Sequence, residues 1–154
     1  MTAEIGAPAP TFAAPTDGEG KADLAALKGR KVVLYFYPKD DTPECTTEAC
    51  NFRDNIFQFR AIDAAVVGIS VDDVESHKAF SDKYELPFTL LADTEGSVCS
   101  DYGVLRDFGV GKLASRQSFL VNPDGVIAKH YADVNPDTHT QEVLADIQAM
   151  RGDG

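Results

Sequence analysis

Residues 32–60 read VVLYFYPKDDTPECTTEACNFRDNIFQFR. The first six positions are all apolar, as expected of a strand buried on both faces in the middle of a sheet. Pro38 ends that run, and a short polar turn leads to Thr42-Pro43-Glu44-Cys45, where a helix-like pattern begins. Thr42 suits the N-cap and Pro43 the first helical position, where its missing N–H costs nothing and its fixed φ fits the helix. Cys45 then falls in the first helical turn, with the Thr42 hydroxyl expected beside the N–H of residue 44 or 45. Unpaired N–H groups and the positive end of the helix dipole face such a side chain and favour thiolate over thiol. A thiolate attacks O–O and S–S bonds, so the placement points to redox chemistry. An arbitrary free cysteine is more often a small core hydrophobe; the strand–loop–helix setting is what separates Cys45 from that default. Cys99, among apolar neighbours on a short helix, keeps it.

A second cysteine, Cys50, lies five positions on. In an intact helix that spacing gives a rise of about 7.5 Å, a rotation of about 140° and a Cα separation of about 8.5 Å. A disulfide requires roughly 4.4 to 6.8 Å. If the two sulfurs join, the first turns of the helix have to unwind, which implies a wound and an unwound state. Metal binding is the rival reading. C-x4-C opens an iron–sulfur pattern, but Arg53 occupies the place of its third cysteine and Cys99 cannot complete four ligands. His77, His130 and His139 show no zinc spacing. The C-x2-C of a thioredoxin-type reductase is absent. Gly109-Val110-Gly111-Lys112 fails as a phosphate loop, because Arg106 replaces its first glycine and Leu113 its hydroxyl residue. No flavin, haem, nicotinamide or metal motif is present, so no cofactor is expected.

Outward from this stretch, the chain alternates strand and helix signals. Residues 1–14 read as an extended lead-in and 17–20 as a hairpin tip. Asp23 to Gly29 reads as one helical turn, capped by the first and stopped by the last. A second buried strand is expected at 64–71, a helix opened by Asp72-Asp73 and running to about Tyr84, and a short strand at 88–92. A short helix follows over 93–102, with Asp93 or Thr94 as cap and Gly103 as stop. Strands at 118–121 and 126–131 are joined by the turn Asn122-Pro123-Asp124-Gly125. An amphipathic helix at 137–150 carries Val143, Leu144, Ile147 and Met150 on one face. This order implies parallel strands with crossovers plus an antiparallel hairpin: an α/β fold with a central mixed sheet flanked by helices, thioredoxin-like, in a single domain over residues 1–154.

At 154 residues, 44% hydrophobic and 25% charged, the composition is that of a globular protein. The net charge of −11 repels phosphate backbones and anionic lipid, arguing against nucleic-acid and membrane partners, while a small neutral substrate is unaffected. No apolar run approaches the roughly 20 residues of a membrane span. The N-terminus lacks the marks of a signal peptide, and three cysteines are unlike a secreted disulfide scaffold, so a reducing cytoplasmic location is expected.

The string Pro38-Lys-Asp-Asp-Thr42-Pro43-Glu44-Cys45 resembles the P-x-x-x-T-x-x-C loop of the peroxiredoxins, and YFYPKDDTPECTTEAC resembles their Q-type, bacterioferritin-comigratory branch. Gly6-x-Pro8-x-Pro10-x-Phe12, LKGRKVVLYFYP, VVGISVD, PFTLLAD and the segment from Arg116 to Gly125 extend the likeness over nearly the whole chain. The resemblance implies a thiol-dependent peroxidase for hydrogen peroxide and organic hydroperoxides. It implies that Cys45 is the peroxidatic cysteine and Cys50 the resolving one, closing an intramolecular disulfide that thioredoxin, or glutaredoxin, reduces. It further implies that Thr42 holds the peroxide, Pro38 shields the sulfur from water and Arg116 stabilises the thiolate, in a monomer or weak homodimer. Glu44 stands where this branch often has glycine, and a carboxylate there opposes a thiolate unless it points to solvent or pairs with Arg116 or Lys39. The competing expectations are a general thiol–disulfide oxidoreductase and a catalytically silent thioredoxin-like binding or chaperone module.

Overall fold

A computed structural model of the chain describes residues 4–16, 21–107, 109 and 111–149. Strand β1 (Ala13–Pro15) pairs antiparallel with β2 (Lys21–Asp23); the hairpin tip expected at 17–20 lies outside the described residues. A 3-10 turn, Leu24–Leu27, follows, and the Asp23 carboxylate accepts the Ala25 N–H at 2.8 Å, the cap its sequence position suggested. Then come β3 (Lys31–Phe36), α1 (Pro43–Asp54), α2 (Ile56–Ala61), β4 (Ala64–Ser70), α3 (Val74–Tyr84) and β5 (Thr89–Ala92). The second half holds α4 (Ser97–Asp101), β6 (Leu105–Asp107), β7 (Lys112–Ala114), β8 (Gln117–Val121), β9 (Ile127–Tyr131) and α5 (His139–Ala149).

Five strands form the main sheet in the order β5-β4-β3-β8-β9. β3, β4 and β5 run parallel, joined by helical crossovers, while β8 and β9 add an antiparallel pair. β3 is thus central, as its unbroken apolar run indicated, and its alternate residues feed two cores. Val32, Leu34 and Phe36 pack with Phe12, Ile69, Phe119 and Val121. Val33, Tyr35 and Tyr37 pack on the opposite face with Phe52, Phe59, Phe80 and Leu144. Val143, Leu144 and Ile147 of α5 are buried as expected, while Met150 lies outside the described residues. α5 seats its buried His139 edge-on to Phe52 of α1, at 6.1 Å between centroids, and 2.8 Å from the Ser118 hydroxyl of β8.

Three elements differ from expectation. The helix that starts at Pro43 breaks at Asn55 (φ −112°, ψ 11°) into α1 and α2. Asn55 turns its amide back onto the Asn51 carbonyl at 2.8 Å, the local side-chain competition that ends helices. The short helix expected from residue 93 starts at Ser97, yet Asp93 still caps it from a distance, accepting the N–H groups of Val98 and Cys99 at 3.2 and 2.8 Å. Finally, β6 and β7 form an antiparallel ribbon that the sequence did not announce. Gly109 and Gly111 fall between the two strands, and their left-handed φ values of 84° and 119° account for the two glycines.

Candidate active site

The site lies beyond the carboxyl end of β3. Because β8 runs antiparallel to β3 with Phe36 opposite Gln117, the residue that precedes β8, Arg116, arrives beside the loop that leaves β3. α1 then begins at Pro43, with Thr42 extended at φ −92° and ψ 155° and its carbonyl accepting the first helical N–H, that of Thr46, at 2.8 Å. Thr42 is therefore the N-cap by backbone, as expected, but not by side chain. Its hydroxyl donates to the Lys39 carbonyl at 2.9 Å and makes no cap bond. The side chain closes its own turn and leaves the N–H groups of the first helical turn free of a side-chain cap.

Cys45 is buried, 2% exposed, on the same face of α1 as Ala49 and Phe52, in the core cluster that includes Tyr35 of β3. Arg116 reaches it across 71 positions of sequence, Nη2 donating to Sγ at 3.2 Å. The other terminal nitrogen, Nη1, donates to Oε1 of Glu48 at 2.8 Å. Sequence reading passed over Glu48. The available signal was its place three residues after Cys45, which puts the two on one helix face. Its carboxyl is fully buried, and Oε2 has no hydrogen-bond partner among the described residues. Burial pushes its pKa up to about 7, with the Arg116 charge and hydrogen bond pulling the other way. Tyr35 lies beneath the group. Burial and the neighbouring Glu48, Cys45 and Asp40 drive its hydroxyl well above the usual phenol range, so it stays neutral.

Glu44, the departure from the loop pattern, points outward at 76% exposure with Oε2 3.8 Å from Arg116 Nη2. Its charge is thus spent on solvent and the guanidinium. Pro38 is half-buried at the start of the loop. Cys50 is a free, half-buried thiol on the same wound helix as Cys45. Cys99 is a free buried thiol pushed far above its ordinary range by burial, then by Asp93, as its core reading required. The three histidines do not converge: His77 faces Asp40, His130 meets Gln117 and His139 meets Ser118. The arrangement therefore has one cysteine held under a guanidinium at a helix start and a second thiol further along that helix, the parts of a two-thiol redox cycle.

Comparison with known proteins agrees with this geometry. Residues 5–130 match the AhpC/TSA family. The bcp protein of Coxiella burnetii is 48% identical over 96% of this chain and 100% of its own length. Peroxiredoxin Bcp of Bacillus subtilis is 39% identical over 97% of this chain and 98% of its own. Among solved structures, a PrxQ of Xylella fastidiosa superimposes with a TM-score of 0.92 at 29% identity, covering 98% of this chain and 99% of that one. The Mycobacterium tuberculosis peroxidoxin BcpB gives 0.89 at 33% identity over 97% and 99%. With its thioredoxin-type sheet and a cysteine under Arg116, the chain belongs to the AhpC/TSA family as a peroxiredoxin of the Bcp/PrxQ group, a thiol-dependent peroxidase.

Proposed function

We propose that Cys45 is the peroxidatic cysteine of this enzyme and Cys50 its resolving partner. The Cys45 thiolate attacks one peroxide oxygen, the O–O bond breaks, and the leaving alkoxide or hydroxide takes a proton. Cys45 becomes a sulfenic acid. The Cys50 thiol then attacks that sulfur, forming the disulfide and releasing water. The observation that carries the reading is the Arg116 bond to Cys45 Sγ at 3.2 Å, with the same guanidinium held by buried Glu48. A fixed cationic donor favours the thiolate and is already aimed where oxygen charge develops. The first-turn N–H groups that Thr42 leaves uncapped are further donors for the bound peroxide, while the Thr42 hydroxyl, whose proton is given to the Lys39 carbonyl, holds the peroxide by accepting from it, and Pro38 covers the sulfur.

The wound α1 supports attack but separates the sulfurs, so resolution requires its first turns to open. Reduction of the disulfide falls to a dithiol of the thioredoxin or glutaredoxin type by exchange, in a reducing compartment such as the cytosol. The protein acts as a single domain, monomeric or weakly dimeric. Peptide mapping after one equivalent of hydrogen peroxide tests the assignment. A Cys45–Cys50 bridge is expected, Cys50→Ser should leave a trappable sulfenic acid, and Cys45→Ser should consume no peroxide with dithiothreitol. Free thiols alongside unconsumed peroxide, or brisk insulin reduction with little peroxide turnover, overturn it.

A further inference from the structure

The loop between β3 and α1 is tied down by a buried polar group that the peroxidase chemistry does not use. Asp40 Oδ1 accepts from the Tyr37 hydroxyl at 2.6 Å, and Oδ2 accepts from Ser76 Oγ at 2.8 Å and faces His77 Nδ1 at 2.7 Å. The Asp40 N–H donates to Asp72 Oδ2 at 2.8 Å, where Ser70 Oγ also donates at 2.6 Å. His77 is fully buried, and its Nε2 lies 2.9 Å from the Leu91 carbonyl of β5. A carbonyl only accepts, so Nε2 carries a proton. Nδ1 then meets the carboxylate with one proton between them; without it, a lone pair would face an anion. Asp40, Asp72 and His77 bring ligand-type atoms within 4.8 Å of one another, but each is already bonded within the group, which makes a strap and not an open coordination site.

We propose that Asp40 and His77 are a positioning pair for the peroxide-reacting state, latching the loop that presents Thr42 and the start of α1 onto α3, so that their separation releases Cys45 towards Cys50. The inference rests on the function proposed above. Two further observations support it. Asp41, with a left-handed φ of 58°, binds α3 as well, through Lys83 Nζ at 2.8 Å and the Tyr84 hydroxyl at 2.9 Å. The far end of α1 is held by other contacts: Asn51 Nδ2 donates to the Pro136 carbonyl at 3.0 Å, Arg53 Nη1 to the Tyr84 carbonyl at 2.8 Å, and Phe52 is buried. Opening the latch thus frees the segment up to Cys50 while the last turn of α1 stays docked.

The latch sets a partition. In the wound state the Cys45 sulfenate meets a second peroxide, takes its oxygen to become a sulfinate and releases an alcohol or water. In the unwound state it condenses with the Cys50 thiol. The groups facing His77 are Asp40 and Tyr37 from the loop segment, Asp72 from the turn before α3 and the Leu91 carbonyl from β5. Burial opposes charge on the ring, but Asp40, Leu91 and Asp72 outweigh it and hold the ionisation above its ordinary value of 6.5. A raised histidine contributes fully below 6.5 and is lost as pH rises through the folded value. Alkaline solution therefore loosens the latch and favours disulfide over sulfinate.

Stopped-flow oxidation by hydrogen peroxide, with mass spectrometry of sulfinate at excess peroxide, tests this in the wild type, His77→Gln and Ser76→Ala. In His77→Gln the peroxide step should slow about tenfold, disulfide closure should quicken and sulfinate per turnover should fall. Ser76→Ala, which removes one donor to Asp40, should move all three in the same direction by less and stands in if His77→Gln does not fold. Wild-type sulfinate yield should fall from about pH 6 to about pH 9, with the trend flattened in the variants. In the wild type, a low-field His77 Nδ1–H resonance should be present in the reduced protein and absent in the disulfide form. Folded variants with wild-type partition, or a His77 signal unchanged by oxidation, overturn the latch and leave the peroxidase standing. A wild type that consumes no peroxide overturns both.

Discussion

At the scale of single residues, Arg116 divides its terminal nitrogens between a sulfur and a buried carboxylate, and each contact depends on the other. Replacing it with lysine substitutes one flexible point charge for a rigid fork that bonds two partners at once. We expect Arg116→Lys to slow the peroxide step by about a hundredfold, the scale of losing one charge-directed donor, measured by stopped flow with the fold checked by circular dichroism. Glu48 adds a pH signature. Its folded pKa is raised from 4.5 to about 7, so between those values the folded chain keeps a proton that the unfolded chain has lost. The Glu48 contribution to stability is then largest at acid pH, falls as pH rises through that window and levels off above it. Glu48→Gln has no such proton. The unfolding free energy of the wild type relative to Glu48→Gln should decline from pH 4.5 to about 7, a trend that urea titrations at several pH values read directly. A flat difference would mean that the carboxyl is already ionised at acid pH.

At the scale of elements, the close packing over the paired strands β3 and β4 depends on Gly68, which lies opposite Tyr35. A Cβ there would come within 2.8 Å of Tyr35 Cζ and Oη and 2.9 Å of Leu90 Cδ2. The Tyr35 ring cannot swing clear, because it stacks on Phe52 at 4.8 Å and Tyr37 at 5.4 Å. Gly68→Ala should therefore cost about 1 to 3 kcal/mol, the usual penalty of overpacking, and should also disturb Cys45 through Tyr35 and Phe52; a denaturation midpoint equal to wild type would refute this. α1 should behave as two halves. Its last turn is pinned through Asn51, Phe52 and Arg53, while its first turns depend on the loop and Arg116. Amide exchange in the reduced protein is expected to be faster over residues 44–50 than over 51–54, and disulfide formation should abolish protection in the first stretch alone. Uniform protection along α1 would contradict a helix that opens from one end.

At the scale of the whole molecule, a net charge of −11 sits around a reaction whose substrate is neutral. The rate of the peroxide step should change by less than about twofold between low and high salt, since a neutral substrate is not steered by the field. Reduction by an acidic dithiol protein should quicken with salt as like charges are screened, and a salt-sensitive peroxide rate would show the first expectation to be wrong. No helix among the described residues is long and apolar enough to cross a membrane. The strand, the turn and the helix start over residues 32–45, with Cys45 in the first helical turn, were legible in the sequence, as were the cap at Asp23, a helix opened by Asp72-Asp73, whose Asp73 carboxylate accepts the Ser76 N–H, and the turn at 122–125. Each of these rests on side chains acting on backbone within a few positions, and local chemistry is legible from local sequence. Even so, the break at Asn55 and the β6–β7 ribbon were missed, because a side chain's choice between solvent and backbone depends on what packs nearby. The tertiary structure alone decided that Arg116 meets Cys45 from 71 positions away, that Glu48 is buried beneath it, and that Asp40 finds His77 across 37. Those pairings follow from which strand docks beside β3 and which helix covers its end, and no periodicity in one segment carries that information.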